Sequence, residues 1–468
     1  MNLIYLMIYN TLCSVNEILW SCLFLPCAVA CGAVLTLRCR GLQLRRFRLA
    51  MKLTLGRMFQ KNKARAGTVT PFQAAATALA STVGTGNIIG TAQAIAMGGQ
   101  GAVFWMWAAS LLGMVIKYGE ICLSLLYRRR KPEGGYSGGP MYYIELGMGR
   151  RFRSLALAYA LLAAAAAFGI GNMSQISSAA GAVTDAVLAF TPLSQAGAVR
   201  FRHILGLVLA LFTGFAIFRG VTGTGKLTSL LVPLMSGIFF VAAGGVILCH
   251  AQRLPAVLGD IFRSAFSLRA ISGAAQGTAL RHALQWGLRR SAFSNEAGLG
   301  SAAIAHASAD TSSAPEQGLW GIFEVFADTV VICSLTAFAI LCSGVDIPWG
   351  QTVGGELFTA SLNTVFGKGC SLLFMAVSML LFALSSVLGW ALYGSCCVNY
   401  LFGSSAVAPY RLAFAAAVYI SCIMSTKMIW ALADCFNALM SVPNFIALFA
   451  LSPQIEKVTK ERFFSGVQ

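Results

Sequence analysis

Residues 80–90 read ASTVGTGNIIG and lie inside an apolar segment that spans residues 70–97. Glycine destabilises a helix interior, and three glycines with an asparagine in this short stretch favour local unwinding. At membrane depth, unwound backbone is tolerated only where protein buries it or where it lines a cavity. The stretch therefore predicts a broken membrane helix beside a binding site. The alternative is close helix packing through small residues.

A second stretch of this kind occupies residues 292–301, which read AFSNEAGLGS. It also lies inside an apolar segment, and the recurrence makes the small-residue packing alternative less favourable. Discontinuous helices at corresponding positions of two halves are typical of transporters built from inverted repeats. The halves share no residue-level identity, so the repeat is inferred from spacing alone.

The composition predicts a membrane protein. Of the 468 residues, 57% are hydrophobic and only 11% are charged, whereas soluble domains are about a quarter charged. Segments of about 20 apolar residues, enough to cross a bilayer, predict eleven transmembrane helices. They lie near residues 15–37, 70–97, 102–127, 154–188, 203–218, 227–249, 281–307, 319–342, 370–398, 409–425 and 428–451. The expected fold class is an all-α polytopic membrane protein, with inverted five-helix repeats, two broken helices and one extra N-terminal helix.

These spans divide the chain into an extra N-terminal transmembrane helix, a basic cytoplasmic loop, two five-helix repeats and a cytoplasmic tail. The predicted bounds of these parts are 1–37, 38–69, 70–267, 268–454 and 455–468. A cleaved signal peptide is the competing interpretation of the first span. It is disfavoured because no Lys or Arg precedes the apolar run.

The net charge of +18 is interpreted as reflecting how the chain is oriented in the membrane. Ten basic residues and no acidic one lie from Arg38 to Arg65, directly after a span, and residues 128–131 form a second basic cluster. Short basic loops beside membrane spans are expected on the cytoplasmic side. With these two loops in the cytoplasm, only the loop at 250–280 disagrees, because it would lie outside although it is basic. We therefore expect no nucleic-acid partner.

Other features do not indicate an enzyme or a metal site. The fourteen cysteines lie mostly singly in apolar runs, where cysteine behaves as a small hydrophobic residue. Residues 220–226 resemble a phosphate-binding loop, but Leu227 stands where Ser or Thr must bind magnesium. An intramembrane enzyme is the runner-up function, and it would need a nucleophile and a base in facing spans.

Several motifs resemble the alanine or glycine:cation symporter family. They are residues 73–107, GGPMYY at 138–143, FSNEAG at 293–298, IAHA at 304–307 and QGLW at 317–320. The resemblance covers nearly the whole chain. It implies the leucine-transporter-type fold with one helix before a ten-helix core, and sodium-coupled uptake of alanine or glycine at the cell membrane of a prokaryote. The chain departs from the family's usual residues at Gln100, Ala303, Ser386 and Ser395.

The resemblance also implies roles for individual residues. Amides around Thr85, Gly86 and Asn87 would bind the substrate carboxylate at a helix N-terminus. Sodium, the co-transported ion, would bind the carbonyls of Ala80 and Val83 with the hydroxyls of Ser385 and Ser386. The complete substrate-binding set is predicted as Thr85, Gly86, Asn87, Gln175, Phe293, Ala297, Ser386 and Trp390. For Gln175, a plain helix-to-helix hydrogen bond is an equal alternative.

Ionisable residues inside spans are further candidates for function. Lys117 and Glu120 lie three apart on one helix and are interpreted as a pair, whereas Glu296, Glu324, Asp328 and Asp434 stay candidates for function. Glu296 lies in the second break and would order it or act as a gate. Proton coupling would require one of these carboxylates to titrate, so it remains the alternative to sodium. The expected partners are a small amino acid and membrane lipid. The oligomeric state is left open.

Overall fold

The computed structural model describes residues 3–58, 64–132, 134–191, 193–267, 278–424 and 426–465. This part of the chain is almost entirely helical. Its helices are α1 (Leu3–Ile18), α2 (Leu25–Arg38), α3 (Leu42–Arg45), α4 (Phe47–Thr54), α5 (Pro71–Thr82), α6 (Gly86–Gly98), α7 (Gly101–Leu126), α8 (Pro140–Gly147), α9 (Arg153–Phe168), α10 (Ser174–Phe190), α11 (Gln195–Ile217), α12 (Gly220–Cys249), α13 (Leu254–Ala265), α14 (Thr278–Asn295), α15 (Ser301–His306), α16 (Ala314–Val325), α17 (Ser334–Ser343), α18 (Glu356–Phe402), α19 (Val407–Ile423) and α20 (Thr426–Phe463). A small hairpin pairs β1 (Arg129–Arg130) with β2 (Tyr136–Ser137). Turns of π-helix join α1 to α2, α9 to α10 and α16 to α17.

Nine helical segments in the described residues are long and apolar enough to cross a membrane, and each overlaps one predicted span. The two other predicted spans, near 70–97 and 281–307, are each divided into two shorter helices. These are α5 with α6 and α14 with α15. The all-α polytopic class is therefore confirmed, and both predicted breaks are present. The count of eleven transmembrane helices stays a prediction.

The first break has a defined start and end. Helix α5 begins with reciprocal capping, in which Thr70 Oγ1 accepts from Gln73 N at 3.1 Å and Gln73 Oε1 accepts from Thr70 N at 3.0 Å. The helix ends at Thr82 because Val83 adopts an extended backbone, with φ −74° and ψ 94°. Helix α6 then starts at Gly86.

The second break uses left-handed backbone. Glu296, Gly298 and Gly300 have φ angles of 56°, 95° and 75° between the end of α14 and the start of α15. Glycine reaches this region without steric cost, but a glutamate does not. The surrounding structure must therefore hold Glu296 in place.

The helices around the two breaks come from both halves of the chain. Helix α7 packs against α14 and α16, α10 against α18, and α12 against α5 and α18. In the N-terminal pair, α1 packs against α20, and α2 packs against α7 and α20. Both breaks are therefore enclosed by protein, as unwound backbone at membrane depth requires.

The predicted divisions of the chain can be compared with these helices. The first span ends at Arg38, and the basic loop 38–69 contains α3 and α4. The boundary between the repeats falls where the described residues stop, so the start of the second repeat, 268–277, lies outside them. Helix α20 runs to Phe463, beyond the predicted start of the tail at 455. The bounds of the repeats and of the tail stay predictions.

Candidate functional site

The first break frees two backbone carbonyls. In a continuous helix the Gly84 amide would donate to Ala80 O, four residues earlier. Here it donates to Asn87 Oδ1 at 2.9 Å. In the same way, Asn87 N donates to Gly84 O at 3.2 Å rather than to Val83 O. The carbonyl oxygens of Ala80 and Val83 therefore lie without their helical partners in a fully buried segment.

The hydroxyl of Ser386, on α18, lies beside this break. A Cβ placed on Gly84 would be 2.8 Å from Ser386 Oγ. Within the described part of the chain, this buried oxygen has no hydrogen-bond partner. The neighbouring Ser385 Oγ instead donates to Phe382 O in its own helix at 2.9 Å. Because a buried unpaired hydroxyl is costly, the position of Ser386 favours a ligand between α5 and α18.

Gln175, on α10, reaches the same break from the other side. Its Oε1 accepts from both Thr85 N and Thr85 Oγ1 at 2.9 Å, and its Nε2 donates to Ile170 O at 3.1 Å. Gln175 thus joins α10 to the unwound segment between α5 and α6 rather than to a helix. The Gln175 oxygen also occupies the acceptor position that a carboxylate oxygen bound to Thr85 would take. Among the described residues, the Gly86 amide has no acceptor.

Asp328, in the π-helical turn Phe326–Cys333, connects the two breaks. Its carboxylate accepts from Asn87 Nδ2, at the start of α6, and from Ser294 Oγ, at the end of α14, both at 2.7 Å. Thr329 Oγ1 adds a third donor at 3.0 Å. An acidic residue inside a span was visible in the sequence. Its contact with both breaks was not, because spacing along one helix does not show which helices face it.

Aromatic side chains lie around the second break. A Cβ on Gly86 would be 3.6 Å from the Phe293 ring, so Phe293 faces the first break. Trp390 Nε1 donates to Glu296 Oε1 at 3.0 Å, which helps to hold the left-handed backbone of Glu296. The Trp390 indole packs closely on Gly171, where a Cβ would lie 2.1 Å from the indole. Ala297 lies against Gly113 of α7.

Glu120, on α7, anchors the second break. Its Oε1 accepts from Gly298 N at 2.9 Å, Gly300 N at 3.1 Å and Asn444 Nδ2 at 2.7 Å. These amides have lost their own helical acceptors at the break. Asn444, on α20, also donates to Gly298 O at 2.9 Å. A buried carboxylate thus replaces helical hydrogen bonds in the unwound segment.

Lys117 does not pair with Glu120, so the pairing inferred from their spacing is wrong. Its ammonium donates to Asn295 O at 2.9 Å and lies 3.3 Å from Glu324 Oε2 on α16. Both charged side chains are fully buried. Gln317 Nε2 donates to His306 Nδ1 at 2.8 Å. The ring proton therefore lies on His306 Nε2, which donates to Glu324 Oε1 at 2.6 Å.

The comparison with known proteins can now be added to this geometry. The model of the sodium:alanine symporter family matches residues 6–465. The chain belongs to the sodium:alanine symporter family. The family resemblance stated from the sequence is thus confirmed, and the protein is a transporter rather than an enzyme. It is a multi-pass protein of the cell membrane and a sodium-coupled symporter of amino acids.

Two relatives show the range of this family. The sodium/alanine symporter AgcS of Methanococcus maripaludis is 38% identical over 453 residues, which cover 96% of this chain and 95% of the relative. The probable sodium/glutamine symporter GlnT of Bacillus subtilis is 34% identical, covering 95% of this chain and 89% of the relative. The family therefore does not by itself decide the substrate.

A solved structure supports the fold. The nucleobase-cation-symport-1 family transporter Mhp1, in a closed conformation with bromovinylhydantoin bound, matches with a TM-score of 0.52. The match covers 87% of this chain and 97% of that chain at 12% sequence identity. At this identity the likeness concerns the fold alone, which is that of a transporter.

Proposed function

We propose that this symporter imports alanine or glycine with sodium, and that both bind at the first break. The observation that carries the proposal is the pair of freed carbonyls, on Ala80 and Val83, beside the unpartnered hydroxyl of Ser386. Neutral oxygens of this kind coordinate a hard cation such as sodium without adding charge. The hydroxyl of Ser385 would complete the set.

The substrate would bind on the other side of the same backbone. The open amide of Gly86 lies at the N-terminus of α6, where the helix dipole favours a carboxylate. Thr85 and Asn87 would supply further donors, once the carboxylate displaces Gln175 Oε1 from Thr85. Released from Thr85, the Gln175 side chain could contact the substrate itself.

The side-chain pocket would be small. Phe293 faces the break, and Trp390 is fixed by its hydrogen bond to Glu296 and its contact with Gly171. In this arrangement the two aromatic residues close the pocket around a hydrogen or a methyl group. Ala297, which lies beside α7, would contribute from the second break. Alanine and glycine are therefore favoured over larger amino acids such as glutamine.

Uptake by purified protein in proteoliposomes tests this function. An inward sodium gradient should drive concentrative uptake of labelled alanine, and replacing external sodium by potassium should abolish it. Unlabelled glycine should compete, and glutamine should not. Uptake driven equally well by a proton gradient without sodium would contradict the proposed coupling. Competition by glutamine as strong as that by alanine would contradict the proposed substrate.

Ser386→Ala should raise the sodium concentration for half-maximal alanine uptake by roughly tenfold, because one oxygen bound to the cation is lost. Ser378→Ala is the matched control, since Ser378 lies elsewhere on α18 and is a buried serine whose hydroxyl has no hydrogen-bond partner among the described residues. The measurement is the sodium dependence of initial uptake rates. An equal sodium response in both variants would place the cation elsewhere.

Trp390→Ala should admit larger neutral amino acids and weaken alanine binding, because the indole is proposed to close the pocket. Poor filling of an apolar pocket costs about 1 to 3 kcal/mol per methylene. The measurement is inhibition of labelled alanine uptake by leucine and valine. Trp320→Ala, a similar truncation of a buried tryptophan on α16, should leave the inhibition pattern unchanged. Equal inhibition by leucine in wild type and Trp390→Ala would refute the role of Trp390.

A further inference from the structure

A cavity lies between the β1–β2 hairpin, α8, the start of α9 and the end of α18. Its volume is about 400 Å³, and none of its lining residues belongs to either helix break. The hairpin of β1 and β2 forms one wall. The residues that give the cavity its chemistry are Arg129, Arg130, Lys131, Tyr142, Arg153 and Tyr400.

The cavity carries uncompensated positive charge. None of its four cationic side chains forms an ion pair with any described residue. The acidic residue of the lining is Glu145, whose carboxylate accepts a hydrogen bond from Tyr400 Oη at 2.7 Å. Like charges carried by the residues that line one concave site repel each other, and a bound anion would relieve that repulsion.

The shape and donors of the site suit a phosphate group. Arginine offers planar, bidentate donors that match phosphate oxygens, and three of the four cations are arginines. Tyr142 and Tyr400 pack edge to face, with ring centroids 5.3 Å apart, and provide a rigid wall. The side chains of Arg129, Arg130 and Arg153 are exposed, so an anion in the surroundings of the protein can reach them.

One edge of the cavity is apolar. Leu157 on α9 lines it and is 37% exposed, and Leu401 lines it near the end of α18. The next residue on α18, Phe402, is 66% exposed. Both helices are among the segments able to cross a membrane. The basic cavity thus adjoins exposed apolar side chains on two helices that are able to cross a membrane, as the headgroup site of a lipid would require.

We propose that this cavity binds the phosphate group of an anionic phospholipid, with the acyl chains lying along α9 and α18. The positive-inside rule explains why a loop here is basic, but it does not require four cationic residues without ion pairs to line one cavity. Basic pockets between transmembrane helices on the cytoplasmic side are suited to anionic headgroups. The loop 128–153, which contains all four cations, is predicted to be cytoplasmic.

Native mass spectrometry of the purified full-length chain in detergent tests the proposal. Phosphatidylglycerol and phosphatidylcholine with identical acyl chains are titrated against wild type, against Arg130→Gln/Arg153→Gln and against Arg48→Gln/Lys52→Gln. The last variant loses the same charge from exposed positions on α4, in the other basic loop. We expect wild type and the α4 control to prefer phosphatidylglycerol. The cavity variant should bind phosphatidylglycerol roughly 10- to 30-fold more weakly.

Two outcomes would overturn the proposal. The cavity is not the site if the cavity variant keeps its preference for phosphatidylglycerol, or if the α4 control loses the preference equally. Inorganic phosphate and glycerol phosphate are added at millimolar concentration in a separate arm. If either displaces phosphatidylglycerol, the cavity takes free phosphate and the lipid assignment is wrong. No displacement supports the contribution of the acyl chains.

Discussion

Gly84→Ala is expected to lower the initial rate of sodium-driven amino-acid uptake by one to two orders of magnitude. The added methyl group would lie 2.8 Å from both Gln175 Oε1 and Ser386 Oγ. Gln175 Oε1 accepts two hydrogen bonds from Thr85, and Ser386 Oγ belongs to the proposed cation site. A movement of either oxygen would therefore disturb the proposed site. Overpacking of this kind costs about 1 to 3 kcal/mol. Because both displaced oxygens belong to the proposed site, the variant should lose more of its uptake rate than of its folding stability.

The neighbouring glycine provides the control. Among the described residues, a Cβ on Gly86 would meet only the Phe293 ring at 3.6 Å, which is an ordinary contact. Gly86→Ala should therefore retain most uptake, whereas Gly86→Leu should abolish it by filling the space proposed for the substrate carboxylate. Rates are measured in proteoliposomes at equal amounts of folded protein. Equal losses in Gly84→Ala and Gly86→Ala would contradict the proposed geometry.

Lys117→Met is expected to destabilise the protein severely, by about 3 to 5 kcal/mol. The change leaves the fully buried Glu324 carboxylate without its counter-charge and removes the donor to Asn295 O at the second break. Within the described parts of the chain, His306 would then be the single hydrogen-bond donor to this buried carboxylate, which is costly. The purified variant in detergent should show a markedly lower thermal unfolding midpoint and little uptake.

The double variant Lys117→Met/Glu324→Gln separates this explanation from simple loss of packing. With both charges removed, the amide oxygen at position 324 can still accept from His306 Nε2. The double variant should therefore be more stable than Lys117→Met alone, although Asn295 O still lacks its donor. A double variant as unstable as the single one would show that the charge pair is not the cause.

The two helix breaks beside the candidate site could be predicted from the sequence. The positions of both breaks follow from the glycine content of residues 80–90 and 292–301, which is a local property of the chain. The structure confirms both breaks and brings Gly84, Gln175 and Ser386 together. The partner of Lys117 was inferred wrongly, because residues three apart on a helix share a face but need not share a partner.

What the sequence by itself determined is the polytopic helical class, the two interruptions and the family. These depend on hydrophobicity, glycine content and short motifs, all of which are read along the chain. Only the tertiary structure decided that Asp328 contacts Asn87, 241 residues away, and that Lys117 lies beside Glu324. Helical periodicity shows which residues share a face, but not which helix covers that face. The polar contacts that hold the breaks open arise between helices, where several packings of the same faces satisfy the hydrophobic pattern equally well.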